Sequence, residues 1–173
     1  AESRGLGDVY KRQVQIKEGI SYLSLVERHR GTGSVTNGFV SGFGYTGSMA
    51  IASSVAHDSH HMIVVGTDRK LMAAAANRLG EVGGGVTLWK DDAERALVEL
   101  PIAGLMSDSQ AAEVANKAQA IISAMIDCGC SLNNAYMQHT LLALVVIPEL
   151  RISDLGLVDV NRFELTEVIS PES

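Results

Sequence analysis

The sequence predicts an α+β layered domain in which a mixed or mostly antiparallel sheet is packed with helices. Three observations carry this expectation. Segments such as "ISYLSLV" alternate in polarity with the period of two expected of a half-buried strand. Longer segments repeat apolar residues at spacings of three and four, as a helix packed along one side does. These helical patterns interrupt the strands irregularly, and at least one strand pair reads as a hairpin, which argues against a doubly wound parallel sheet.

Residues 1–13, "AESRGLGDVYKRQ", show no apolar periodicity and lack the charged start and apolar stretch of a signal peptide. They are similar to a translated sequencing-adapter scar. The domain is therefore expected over residues 14–173, with the natural protein continuing upstream of Val14. A strand is expected from Ile20 to near Arg30, with Tyr22 and Ser24 on one face and Leu23 and Leu25 on the other. The glycine-dense run from Gly31 to Gly47 predicts turns, bulges or close backbone packing. Strands are expected over Ser48–Ser54 and Met62–Gly66, the second short and buried.

Thr67 and Asp68 mark the start of a helix over "DRKLMAAAANRLGEV", which Gly83, Gly84 and Gly85 end. "GVTLWKDDAERALVELPI" reads as a hairpin turning near Asp91 and Asp92. Ser107 or Asp108, with Glu113 downstream, opens the longest helix, about Ser109 to Cys128. Its apolar stripe is Val114, Ala118, Ile121, Ile122 and Met125. A shorter helix is expected over Asn134–Leu142, followed by short extended pieces.

Composition narrows the function classes. With 46% hydrophobic and 20% charged residues over 173 positions, the chain reads as one ordinary soluble domain. A net charge of −6, from 14 basic and 20 acidic residues, argues against partners held by basic patches, whether nucleic acid or an anionic membrane. The longest apolar run, Leu141–Ile147, falls far short of the roughly 20 residues a membrane span needs. Two cysteines, Cys128 and Cys130, make no disulfide framework, so a cytoplasmic location is expected.

The candidate chemistry centres on "SSVAHDSHH". His57 and His60 lie three apart with Asp58 and Ser59 between them. Imidazoles at close spacing can ligate a metal, although a further ligand is needed and the H-E-x-x-H pattern is missing. On a strand, His57 and Ser59 would share one face; on a loop, all four residues could converge. Equally, Asp58 and Ser59 could only tie a turn together. The run "GTGSVTNG" contains G-x-G, but its third glycine comes late, no helix follows and the basic residue of a phosphate loop is missing. The backbone around Gly42 and Gly44 could still donate to a ligand, or the glycines could only permit tight strand packing. Cys128 and Cys130 read as a buried thiol and a loop thiol, Met106, Met125 and Met137 as core, and Asp154 and Asp159 as turn formers.

Taken together, "AIASSVAHDSH" (Ala50–His60), "PIAGLMSD" (Pro101–Asp108) and "LGLVDV" (Leu155–Val160), in that order, resemble the C-terminal domain of adenine deaminases of the amidohydrolase superfamily. The resemblance runs from about Val14 to Val168. It implies hydrolytic deamination of adenine to hypoxanthine and ammonia in purine salvage. It also implies manganese or iron held by an N-terminal barrel of the same protein, and a homo-oligomer. The barrel's H-x-H motif is not in this chain, so on this reading the chain alone binds no metal and is inactive. His57, Asp58, Ser59 and His60 would then be substrate-proximal or support the site from behind, with His57 and His60 as weak metal candidates. The family pattern has asparagine where this chain has His61, and basic residues where it has Tyr45–Ser48. A standalone binding or oligomerisation module and a small independent metallohydrolase are the alternatives.

Overall fold

A computed structural model describes residues 16–168, so the expected scar over residues 1–13 lies outside the described residues. Nine strands and three helices follow in the order β1 (Ile20–Val26), β2 (Val35–Ser41), β3 (Met49–Ser53), β4 (Met62–Gly66), α1 (Arg69–Val82), β5 (Gly85–Lys90), β6 (Ala93–Glu99), α2 (Ala111–Asp127), α3 (Ala135–Thr140), β7 (Leu150–Ser153), β8 (Gly156–Asp159) and β9 (Glu164–Thr166). The first six strands form one sheet, ordered β2-β1-β4-β3-β5-β6, and the last three form a second. Every pairing is antiparallel. The α+β expectation therefore holds. Among the described residues no helix is long and apolar enough to cross a membrane.

Alternation sorts the large sheet into two faces. Leu23, Leu25, Ile51, Ile63, Val65, Val86, Leu88 and Val98 point to one face, where Ile121 and Met125 of α2 complete the larger core. Ala50, Ala52 and Val64 point to the other, against Leu71, Met72, Ala75 and Leu79 of α1. Small side chains on that second face let α1 lie close. β3 and β4 are buried throughout because helices cover both faces.

α1 begins where the sequence places it. The Asp68 carboxylate accepts hydrogen bonds from the Lys70 and Leu71 amides, and Gly83 ends the helix at φ 82°. Ser48 also donates to Asp68, and this bond, with the two amides, holds its carboxyl below the usual carboxylate range. α2 begins later than expected: Gln110, not Ser107 or Asp108, precedes it, without a side-chain cap. The shorter helix ends at Thr140 and runs into a 3-10 turn, Leu141–Ala143.

Three expectations need correction. The glycine-dense run does form turns at its positive-φ glycines and close packing at Gly38 and Gly44, but it also contains the whole of β2, whose Gly38 lies against Leu157 of β8. Met106 and Met137 are exposed; only Met125 of the three methionines lies in the core. Cys130 is buried like Cys128, and both are free thiols.

Candidate functional site

The antiparallel register places three loops at one rim of the large sheet. β1 ends at Val26, opposite Val35 and Met62, and Ser53 pairs with Ile63 and Val86. The segments 27–34, 54–61 and 100–109 therefore emerge side by side. Residues 42–48 emerge from the opposite rim, a strand length of roughly 15–20 Å away. Gly42 and Gly44 thus stand apart from the histidines. Gly44 packs its backbone against Gly129 in the connection after α2, where an added Cβ would sit 3.0 Å from the Gly129 carbonyl oxygen.

The histidine segment is a loop. The His60 amide donates to the Ala56 carbonyl at 2.7 Å, and the His60 Nδ1 accepts from the Ala56 amide at 3.3 Å. This closes a five-residue turn with Asp58 and Ser59 exposed at its tip and His57 and His60 partly exposed beside them. The two imidazoles meet edge to face at 5.4 Å between ring centroids. The His57 amide ties the turn to the Thr140 carbonyl at the end of α3. His57, Asp58, Ser59 and His60 are therefore gathered on one small turn.

Neighbouring loops hold this turn from below. Glu27 is buried, and its carboxylate accepts from the amides of His29, Arg30 and Thr32 and from the Thr32 hydroxyl, at 2.6 to 3.0 Å. The Thr32 and Arg30 amides foremost draw its pKa down to about 2. The unfolded chain protonates this group near 4.5 and the folded one only near 2. Its contribution is thus complete above the first value and lost as pH falls through the second. His29 Nε2 donates to the Ser59 carbonyl at 2.6 Å. Arg28 Nε donates to the His60 carbonyl at 2.6 Å, and its Nη2 donates to the Ala103 carbonyl at 2.9 Å.

His61 is buried behind the turn. Its Nδ1 faces the Arg28 amide at 3.5 Å, and its Nε2 lies 3.7 Å from an Asp154 carboxylate oxygen. Asp154 does sit in the β7–β8 turn, as expected, and it also faces a histidine. Burial lowers the pKa of both His60 and His61; at His60 the next contributions are the neighbouring His57 and Arg28 charges.

Ser54 joins the histidine loop to the 100–109 segment. Its hydroxyl donates to the Gly104 carbonyl at 2.6 Å and accepts from the Gly85 amide at 2.7 Å. The Ile102–Met106 turn presents Ile102, Leu105 and Met106 to solvent, and Arg28 ties this turn to the histidine turn through the Ala103 and His60 carbonyls. Sequence reasoning selected the four residues of the turn and missed Glu27, Arg28, His29 and Ser54. The available signal was "ERHR", a charged run where a strand's alternation stops.

Among the described residues no three His, Cys, Asp or Glu side chains converge to hold a metal. His60 Nδ1 is already engaged by an amide, and a guanidinium lies behind the loop. The cluster does not fit a complete metal centre by itself. It can instead present imidazoles, a carboxylate and a hydroxyl from a fixed turn.

An α+β domain that carries an ionisable turn on one rim, backed by a buried carboxylate and an arginine, is defined by these features. The chain belongs to the adenine deaminase C-terminal domain family, whose model matches residues 7–164. It is 74% identical over 152 residues to adenine deaminase 1 of Jannaschia sp., covering 88% of this chain and 26% of that protein. It is 67% identical over 171 residues to the adenine deaminase of Ruegeria pomeroyi, covering 93% and 28%. Against the adenine deaminase of Moorella thermoacetica the identity is 43% over 155 residues, covering 90% and 26%. The chain spans about a quarter of the length of these curated relatives.

Proposed function

We propose that this chain serves as the C-terminal domain of an adenine deaminase, which converts adenine and water to hypoxanthine and ammonia in purine salvage. The family match over residues 7–164 is the observation that carries this reading. Manganese or iron, held by an N-terminal barrel, would supply a nucleophilic hydroxide at neutral pH. This chain's part is to present His57, Asp58, Ser59 and His60 toward the purine site. There the side chains can hydrogen-bond the ring or relay a proton. The partly exposed turn and the apolar wall of Ile102, Leu105 and Met106 support that placement. The buried free thiols fit a cytoplasmic protein.

The test is an exchange enzyme: the Jannaschia adenine deaminase 1 with its matching C-terminal quarter replaced by this chain. Adenine deamination close to that of the parent is expected. A folded, metal-loaded exchange enzyme without activity would refute the assignment.

Homo-oligomer formation and contact with the barrel both need apolar surface. Ile122 and Ile126 stand exposed on the outer side of α2, and Leu132 and Met137 are exposed beyond it. Isolated, this chain is expected to self-associate as concentration rises; light scattering of a monomer at all concentrations would count against it.

A further inference from the structure

Arg28 bridges two turns that are distant in sequence. Arg78 pairs with surface carboxylates, and Arg95 with the Asp91 carboxylate and the nearby Lys90 carbonyl. The Arg28 guanidinium instead donates to two main-chain carbonyls, those of His60 and Ala103, which are 43 positions apart in sequence by their numbers. Both of these residues are non-glycine and left-handed, at φ 52° and 58°. Such conformations are unfavourable for a residue with a side chain and persist where the surroundings hold them. One planar fork thus holds two strained turns at once, a geometry a lysine's single head group cannot reproduce.

The surroundings are shaped for that fork. Gly104 sits at φ 73°, and a Cβ there would lie 3.0 Å from Cζ, Nη1 and Nη2 of Arg28. From the far side Ser54 binds the Gly104 carbonyl, so the 102–106 turn is gripped on both flanks. Arg28 is half-buried, and its charge stands directly behind His60. The groups that face His60 are His57, Arg28, Asp58 and His29; of these only Asp58 favours the imidazolium.

We propose that Arg28 is a positioning residue for the reaction, fixing the His57–His60 turn and the 102–106 wall in one geometry toward the purine. The inference rests on the functional reading above and deepens it. Loss of the fork frees both turns, and displacement of a reacting or binding group by about 1 Å can cost up to a hundredfold in rate.

The experiment uses Arg28→Gln and Arg28→Lys in the exchange enzyme, with melting temperature, metal content and the pH profile of kcat/KM measured together. Arg28→Gln is expected to lower kcat/KM at least roughly tenfold at unchanged folded fraction and metal content. The acid limb of the profile should move to higher pH, because a positive neighbour of His60 is gone. Arg28→Lys keeps the charge but not the fork, so it should lose rate while keeping the limb in place. Parent-like kcat/KM in both variants, or losses that only follow the folded fraction, would overturn the proposal. Should Arg28→Gln fail to fold, Arg28→Lys alone decides by the same criterion. An inactive parent exchange enzyme would refute the deaminase reading instead. In that case NMR titration of His60 in the 173-residue chain still tests the clamp: an unchanged titration in Arg28→Gln overturns it.

Discussion

In the exchange enzyme, His57→Ala together with His60→Ala lowers kcat/KM for adenine roughly a hundredfold, the scale of a lost proton-transfer group. The fold should survive. Both rings are partly exposed, and they touch each other edge to face at 5.4 Å. The turn itself is closed by main-chain bonds, His60 to Ala56 and His57 to Thr140, which alanine keeps. One side-chain bond is lost, from the Ala56 amide to His60 Nδ1, worth about 1 kcal/mol. A melting temperature lowered by only a few degrees is therefore expected. Parent-like kcat/KM for adenine in the double variant would remove these histidines from the reaction. Asp58 and Ser59, exposed at the tip, should show smaller losses as Asp58→Asn and Ser59→Ala.

His139→Leu is expected to make the chain markedly more resistant to acid. His139 is fully buried in α3, edge to face with Phe43, and among the described residues neither ring nitrogen has a hydrogen-bond partner. Burial drives its pKa down to about 3 from the ordinary 6.5. The unfolded chain takes up this proton below 6.5 while the folded chain refuses it until about 3. The unfolded state binds more protons across that interval, so acid favours unfolding. Between neutral pH and pH 4.5, the value at which Glu27 is half protonated in the unfolded chain, the wild type should lose roughly 3 kcal/mol on account of His139 alone. Leucine removes that loss and leaves no unpaired nitrogen in the core. Denaturant unfolding at the two pH values measures the difference directly. Equal acid sensitivity of variant and wild type would show that His139 finds a proton or a partner in the folded state.

Much of the fold is legible in residue order. The alternation in "ISYLSLV", the Asp68 cap with Gly83 and the Asp91–Asp92 turn are local signals, and each marks the element it should. β2 is hidden because Gly38 and Gly42 weaken its strand signal, whereas its stability comes from pairing along all seven residues of β1. α2 misleads in another way. Ile122 continues the apolar spacing of the helix yet is exposed, since the sheet covers only a narrow stripe through Ile121 and Met125.

The candidate site divides along the same line. By itself, the sequence determined the α+β class, the family and the four residues of the His57–His60 turn, because caps, periods and a contiguous motif are all short-range patterns. Only the tertiary structure decided that Gly42 and Gly44 belong to the opposite rim, and that Glu27, Arg28, His29, Ser54 and Asp154 gather behind the histidines. Strand register makes that choice. Pairing Val26 with both Val35 and Met62 brings distant loops to one edge, and a single guanidinium then spans carbonyls that no spacing in the chain relates.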